Sequence, residues 1–442
     1  MAPRSKEIPP SSLGIIPPPR RDGLTQNGDI WLEDKQTIDG AEGLWRIHDK
    51  LYNFSTFIDK HPGGAEWLEM SKGTDITEAF EAHHIKSGPE NMLAKFYVRD
   101  AKTKRNAPYT FKEDGFYRTL KREIAEKLKT VPKQSSNNSN FLIDSLLVGL
   151  FIFSIIACTY WNFLLATLAG NFLAMLTIAA HNYFHRRDNF RMYYFHFSLM
   201  QVREWRISHV LSHHLHTNTI DDLEISSWEP FIQYLPVKKS PLVRYGSYIY
   251  VPLLWITGFH IAFLRRIIEI CKGNMRHAQP AEWVGFLLPL AMYLFSGQSL
   301  WWTLVIWNYI ILIGSTHFFF VGLHAAHHHP DIFHDGDTPR HTTDYDWGLS
   351  QLDAVMERKE ITGSHFLVLT NFGDHALHHL FPTLDHGYLE HLYPVFEEVL
   401  EKFDANVRYV SQLDTVVGGF QQISRVKPNE NAPDLKKYKR KN

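Results

Sequence analysis

Cysteine is nearly absent. Cys158 and Cys271 are the only two in 442 residues, far apart and in apolar surroundings. With no CxxC and no CxxCH, a thiolate zinc site, a disulfide framework and covalently attached c-type haem are all excluded, and a reducing, cytosol-facing location fits. Net charge is equally slight, −1 from 46 basic and 47 acidic side chains. That removes the case for a nucleic-acid partner. The start, Met1 to Pro19, is polar and proline-rich without the apolar core of a secretory signal. Mean hydropathy is only −0.24, but the average hides long apolar runs beside polar regions. The length leaves room for two or three domains.

What the chain has instead is histidine, 26 in all, gathered into four groups. Gly373 to Pro382 carries His375, His378 and His379 at i, i+3 and i+4, a spacing that puts three imidazoles on one helix face. Upstream stand His181 with His185, His209 with His213 and His214, and His324 with His327 and His328. A lone i, i+4 pair is ordinary surface or satisfied core. Four such groups are not, because neutral imidazole is the commonest side-chain metal ligand. Together they supply about ten imidazoles, too many for one ion and right for two.

Residues 1–26 read as a disordered leader, with Pro9, Pro10 and Pro17 to Pro19 too dense for regular structure. Residues 27–101 read as a compact α+β domain. Leu44 to Ile47 and Lys50 to Phe54 have strand composition on either side of a turn at His48-Asp49. His61-Pro62-Gly63-Gly64 follows, then a helical stretch around Trp67 to Met70. A second helix runs to His83 and His84, with Asp75 as candidate N-cap and Glu78 three residues on. The run His-Pro-Gly-Gly, Gly73-x-Asp75-x-Thr77-x-x-Phe80 and a distal histidine resembles the cytochrome b5 haem-binding domain. The resemblance implies haem b held between His61 and His84, with His83 as the alternative second ligand. It also implies that Gly63 and Gly64 let the backbone approach the porphyrin. Two imidazoles on one iron leave no position for oxygen and suit electron transfer. Asp59, Glu66, Glu69, Asp75, Glu78 and Glu81 give the domain an acidic rim suited to a basic partner.

Residues 102–139 read as a basic linker ending in Ser135-Ser136-Asn137-Asn138-Ser139. Beyond it Phe141 to Tyr160 and Phe163 to Ala180 approach the ~20 residues of a membrane-spanning helix. A second hairpin is expected from Trp283 to Phe295 and Leu300 to Phe320. Tyr248 to Leu264 is apolar but basic at both ends (Lys238, Lys239 and Arg244; Arg265, Arg266, Lys272 and Arg276), and reads as a helix lying on the membrane surface. Basic flanks before Phe141 and after Ala180 (Arg186, Arg187, Arg191) put the outer ends of the first hairpin on the cytosolic side. All four histidine groups then share that side. The expected fold is an α+β haem domain followed by an all-α integral membrane domain, residues 140–410, with four transmembrane helices and a histidine-rich cytosolic cap. Residues 411–442 read as a polar, basic tail, and its Lys436 to Lys441 run loosely resembles an endoplasmic reticulum retrieval signal.

Histidine suits zinc, copper, nickel or iron. A zinc site has no use for electrons, whereas this chain carries its own one-electron donor, which argues for a pair of non-haem iron ions. The Glu-x-x-His pattern of soluble di-iron bundles is absent. Asp188, Asp221, Asp222, Glu224 and Asp374 are better placed to orient imidazole tautomers. At these boxes the chain resembles the membrane fatty acid desaturases that carry an N-terminal cytochrome b5 fusion. His181-x-x-x-His185 matches the family's first box and His375-x-x-His378-His379 its third. The second, His209-x-x-x-His213-His214, is one residue longer than the usual His-x-x-His-His, so His216 is a possible substitute for His209. Family members also carry a ligand pair between the second and third boxes, where His324 and His328 fit, with His327 as the alternative.

The resemblance implies desaturation of an acyl lipid or acyl-CoA in the endoplasmic reticulum membrane, using O2 and electrons from cytochrome b5 reductase. Hydroxylation by the same chemistry and a non-catalytic, membrane-tethered electron carrier are the alternatives. Trp301, Trp302, Trp307, Phe318 and Phe319 could wall an acyl tunnel. His196, His260, His317, His334, His365, His386 and His391 fit no box and read as structural or surface.

Overall fold

The computed structural model describes residues 10–21, 26–273, 279–340 and 344–434. The basic run at 436–441 and Arg276 lie outside the described residues. In the first domain, β1 (Trp45–Ile47) and β2 (Lys50–Tyr52) pair antiparallel across the expected turn, with His48 at φ +54° in its corner. β3 (Tyr97–Asp100) closes the sheet on the other side of β2. One face of this sheet buries Trp45, Ile47, Tyr52 and Phe54 against Leu68 and Phe80, which come from the helices Ala65–Met70 and Thr77–His83. The second of these helices is capped at Ile76 rather than at the expected Asp75, whose carboxylate accepts from the backbone of Thr77.

Two expectations of loose chain are corrected. In the leader, Ser11 and Ser12 hydrogen-bond to the Asp335 carboxylate, Ile15 is buried, and Arg21 pairs with Glu229. Proline-rich extended chain has free backbone groups, and here Asp335, Asn106 and Asp34 accept from the N–H groups of Ser12, Ile16 and Arg20. Residues 102–139 are likewise structured. Phe116–Lys127 is an amphipathic helix burying Phe116, Tyr117, Leu120 and Ile124. The Ser/Asn run forms the first turns of the helix Gln134–Tyr160, with Ser135 bonded to His391 and Ser139 to His365 and Asp385.

Among the described residues, four helices are long and apolar enough to cross a membrane: Gln134–Tyr160, Phe163–Phe184, Leu242–Cys271 and Leu300–Gly322. The first two form the expected hairpin. The third has both ends tied to the polar cap. Lys239 and Arg244, at its start, bond to carbonyls of Gln422, Ile423 and Ser424. At its end Arg265 bonds to the carbonyl of Ser227, and Arg266 pairs with Glu204 and Glu282. Both of its ends therefore contact polar segments of the same domain.

The shorter apolar segment Pro280–Ser296 follows it. The carbonyl of Ala281 accepts from His196 on the cap side, and Ser296 meets Cys158 near the far end of the first helix. Its opening seven residues are a 3-10 helix and the next ten are α-helical, which together reach about 30 Å. That matches the hydrocarbon thickness of a bilayer.

The presumed tail is also folded in part. Gln412–Ser424 is a helix with a Ser411/Asp414 capping box, and Arg425 pairs with the buried Asp337.

Candidate haem and metal centres

His61 and His84 face each other with ring centres 6.2 Å apart. Each donates its Nδ1–H to a carbonyl, of Gly64 at 2.9 Å and of Phe80 at 3.0 Å. A carbonyl only accepts, so in both neutral rings Nε2 keeps its lone pair. An iron between them needs roughly 2 Å for each metal–nitrogen bond and about 1 Å from nitrogen to ring centre, which matches the observed separation. The two residues therefore fit a haem.

The glycines serve more than a porphyrin. A Cβ on Gly63 would stand 2.9 Å from the His61 ring. Gly64 has φ +116°, and a Cβ there would press on the Asp188 carboxylate at 3.2 Å. His83 turns away from this pair. It packs edge-on against Trp67 at 5.9 Å, with its buried Nε2 unpartnered. Burial, then His84 and His61, hold it down to about 3.

The acidic rim meets the chain's own basic residues. Glu66 pairs with Arg203 and Arg206, Asp75 and Glu78 with Arg105, and Glu81 with Arg118 and Lys121. Arg206 is buried, holds Asp188 at 2.7 Å and covers the Trp67 ring at 4.8 Å. Lys35 bridges Asp39 of the first domain to Asp221 of the second, all three buried. The haem domain is thus clamped onto the histidine cap.

Beneath that clamp lie two adjoining histidine clusters. In one, ligand atoms of His181, His185, His209, His214 and His378 all fall within 4.8 Å of one another. His181 Nε2 alone has the Nε2 atoms of His209, His185 and His378 at 2.7, 2.8 and 3.1 Å. One ring nitrogen carries at most one proton, so these contacts cannot all be hydrogen bonds. In the other cluster, His213, His327 and His379 converge, and His375 meets His327. The clusters touch where the rings of His214 and His379 stack at 3.9 Å.

Carboxylates fix two of the rings: His209 Nδ1 donates to Glu224 and His213 Nδ1 to Asp222, each at 2.9 Å. This directs Nε2 inward in the manner of oriented metal ligands. Asp188, Asp221 and Asp374 bind Arg206, Lys35 and Tyr393 instead. Burial, followed by neighbouring imidazoles, holds His185, His214, His327, His375, His378 and His379 well below the usual histidine value. Neutral rings are what a metal requires. At His213 burial opposes the charge, but Asp222 and Glu224 outweigh it and raise the ring to about 9.

The lengthened second box is absorbed by a π-helix over Arg206–His213. A π-helix bonds i to i+5, so it brings residues five apart to one face. His209 and His214 both reach the first cluster, with Nε2 atoms 3.0 Å apart, while His213 reaches the second. His216, the suggested substitute, packs near Tyr109 instead.

His324 and His328 are not brought in. His324 lies among Trp255, Phe320 and Phe420, and His328 stacks on Tyr234 at 3.4 Å. The helix ends at Gly322, so i, i+4 spacing carries no facial meaning beyond it. Of that group it is His327 that joins the cluster. His386, expected to be structural or surface, is buried with its Nε2 3.3 Å from His378 Nδ1, behind the ligand face. It begins a four-residue helix, where no periodicity marks it. Among the expected tunnel aromatics, Phe318 packs against Trp205 and Phe372, which edge His209 and His181. Trp301 is 69% exposed, on the outer surface.

The fatty acid desaturase family model matches residues 158–411, and the cytochrome b5-like haem/steroid binding domain model matches residues 32–102. The chain is 44% identical over 410 residues to the "Cytochrome b5-related protein" of Drosophila melanogaster, covering 91% of this chain and 93% of that protein. It is 23% identical to the "Acyl-lipid (8-3)-desaturase B" of Dictyostelium discoideum, covering 83% of this chain and 87% of that protein. A "Probable Delta(5) fatty acid desaturase C" of the same organism is also 23% identical, with 85% and 90% covered. No solved structure gives a significant match.

Proposed function

This chain belongs to the fatty acid desaturase family, joined to a cytochrome b5-like domain, and from that membership we propose that it introduces a double bond into an acyl chain of a membrane lipid or acyl-CoA. The observation that carries the reading is the convergence of nine neutral or carboxylate-oriented imidazoles, in two touching clusters, directly under a haem-binding domain. His181, His185, His209, His214 and His378 would hold one iron, and His213, His327, His375 and His379 the other. Bound there, the iron pair supplies activation of O2 and removal of two hydrogens from neighbouring methylene carbons.

The protein's own part is to prepare that site. Asp222 and Glu224 keep the Nδ1 protons of His213 and His209 and so hold both lone pairs inward. Burial of the rings excludes bulk water, which would otherwise quench a reactive oxidant. Phe318 and Phe372 give an apolar approach suited to a hydrocarbon chain. Electrons reach the haem from a cytochrome b5 reductase on the cytosolic face of the endoplasmic reticulum. The basic flanks of the first hairpin support that orientation. The π-helix supports a working site over an electron carrier without its own chemistry, because His209, His213 and His214 all join the clusters despite the extra residue in the second box.

The test is non-haem iron and haem content of the detergent-purified protein, with His213→Ala/His378→Ala alongside, followed by lipid profiling of cells that express it. Two non-haem irons per haem, lost in the double variant while the haem spectrum persists, together with new unsaturated acyl chains, are expected. Hydroxylated chains would assign the sister reaction. One haem and no other iron, under conditions where a known desaturase keeps its metal, would sink the proposal.

A further inference from the structure

The electron has to travel from the haem to the histidine clusters, and one residue at the domain boundary adjoins the second haem-facing histidine. His83 follows Ala82, which is buried in the core shared with the membrane domain, and precedes the haem-facing His84. Its carbonyl accepts from Thr383, three residues after the third histidine box helix ends at Leu380. Its ring rests on Trp67, and Trp67 lies under the guanidinium of Arg206. Arg206 in turn donates to the carbonyl of Phe184, the neighbour of His185. The Nε2 of His83 and the Nδ1 of His185 are both buried without a hydrogen-bond partner. An imidazole left unpaired at a domain boundary has a desolvation cost and no structural return.

We propose that His83, backed by Trp67, is the relay through which electrons pass from the haem to the metal clusters. Tunnelling weakens far less along bonded atoms than across a gap. One peptide bond joins His83 to the haem ligand His84, and from its ring the packed Trp67 and Arg206 lead to the carbonyl of Phe184, next to His185. In each transfer one electron leaves a ferrous haem, which becomes ferric, and reduces one ferric non-haem iron to ferrous. No bond is made or broken, and no proton moves at His83. Two transfers reload the pair. The clamp of Arg206 on Glu66 and Asp188 holds the two ends of this route in register.

This inference rests on the proposed iron pair, so the experiment measures the metal and the transfer separately. Full-length protein, reduced with dithionite and freed of excess, is mixed with oxygenated buffer in a stopped-flow cell while the haem absorbance is followed. The iron-free His213→Ala/His378→Ala protein gives the background rate. His83→Leu is expected to slow haem re-oxidation about tenfold or more toward that background. Its haem spectrum, haem midpoint potential and non-haem iron content are expected to stay unchanged. His83→Phe, which restores a ring, recovers most of the rate. Relaxation of the ferric haem EPR signal by the nearby iron stays as in the parent, because the domains remain docked. A wild-type rate in His83→Leu with haem and iron both bound overturns the relay. So does loss of the spin relaxation, which makes His83 a docking residue, or loss of the bis-imidazole spectrum, which makes it a haem ligand. Absence of non-haem iron from the parent protein overturns the proposed function itself, and the relay with it.

Discussion

His327 and His375 point their Nε2 atoms at each other across 2.7 Å, while their Nδ1 atoms donate to the carbonyls of Ala354 and Phe372. Both neutral rings therefore present lone pairs to one another, with no proton between them. Two buried lone pairs at that distance repel unless a cation sits beside them. His327→Ala is expected to lose non-haem iron at least tenfold more readily than the parent, whereas His324→Ala and His328→Ala keep it. Iron-to-haem ratios after dialysis against a chelator decide this. Equal loss in all three variants would show that the region matters for folding rather than for metal.

The carboxylates behind the rings give a graded test. Asp222→Asn and Glu224→Gln keep the size of each side chain but weaken its hold on the Nδ1–H of His213 and His209. Removing such oriented partners typically costs 10–100-fold in metal affinity. Chelator competition should report a loss in that range with the haem spectrum untouched. No change would mean that the rings are oriented by packing alone.

The parts of this site legible in the sequence were those whose spacing survives in regular helix. His181 and His185 lie at the end of an unbroken α-helix, and His375, His378 and His379 form a short one, so i, i+3 and i+4 kept their meaning. The second box looked anomalous only on an α-helical wheel. In a π-helix the extra residue restores the alignment, and nothing in Arg206–His213 announces that winding. His324, His327 and His328 follow the last turn of their helix, where the backbone path is set by tertiary contacts such as His327 Nδ1 to Ala354. The domain clamp was illegible for another reason. Charge composition shows that Glu66, Glu78 and Glu81 are acidic, but not that their basic partners come from the same chain.

That clamp has a buried centre at Lys35, which lies 2.9 Å from Asp39 and 2.7 Å from Asp221. All three side chains are shielded from solvent, so deleting the cation strands two carboxylates. Lys35→Met is expected to destabilise the docked state by about 3–5 kcal/mol. Differential scanning calorimetry in detergent, with protease cutting near the domain boundary as a second readout, measures it. Adding Asp221→Asn should recover part of the loss, because one stranded charge is gone. Additive losses would show that the three groups do not act as a unit.

Acid should open the same boundary, and the direction follows from Glu81. Its side chain is 1% exposed and receives Arg118, Lys121 and the His48 ring. Burial alone would raise this carboxyl. The His48 hydrogen bond, Lys121 and Arg118 outweigh burial and bring it from 4.5 down to about 2. A folded-state value below the unfolded one means that the unfolded chain takes up the proton first as pH falls. The stabilisation is therefore complete above pH ~4.5 and is lost progressively between ~4.5 and ~2, amounting to about 3 kcal/mol. Arg118 and Lys121 belong to the helix Phe116–Lys127, whose Tyr117 packs on Trp347 and Phe381 of the membrane domain. Losing Glu81 thus loosens the haem domain from its docking surface. Proteolysis of the region between the domains, followed from pH 6 to pH 3, should accelerate through that window in the parent protein. In Glu81→Gln the starting stability is lower and the acid dependence flatter, because the group that titrates is gone. An unchanged pH profile in Glu81→Gln would assign the acid sensitivity to other carboxylates of the clamp, with Asp75 next in line through its pair with Arg105.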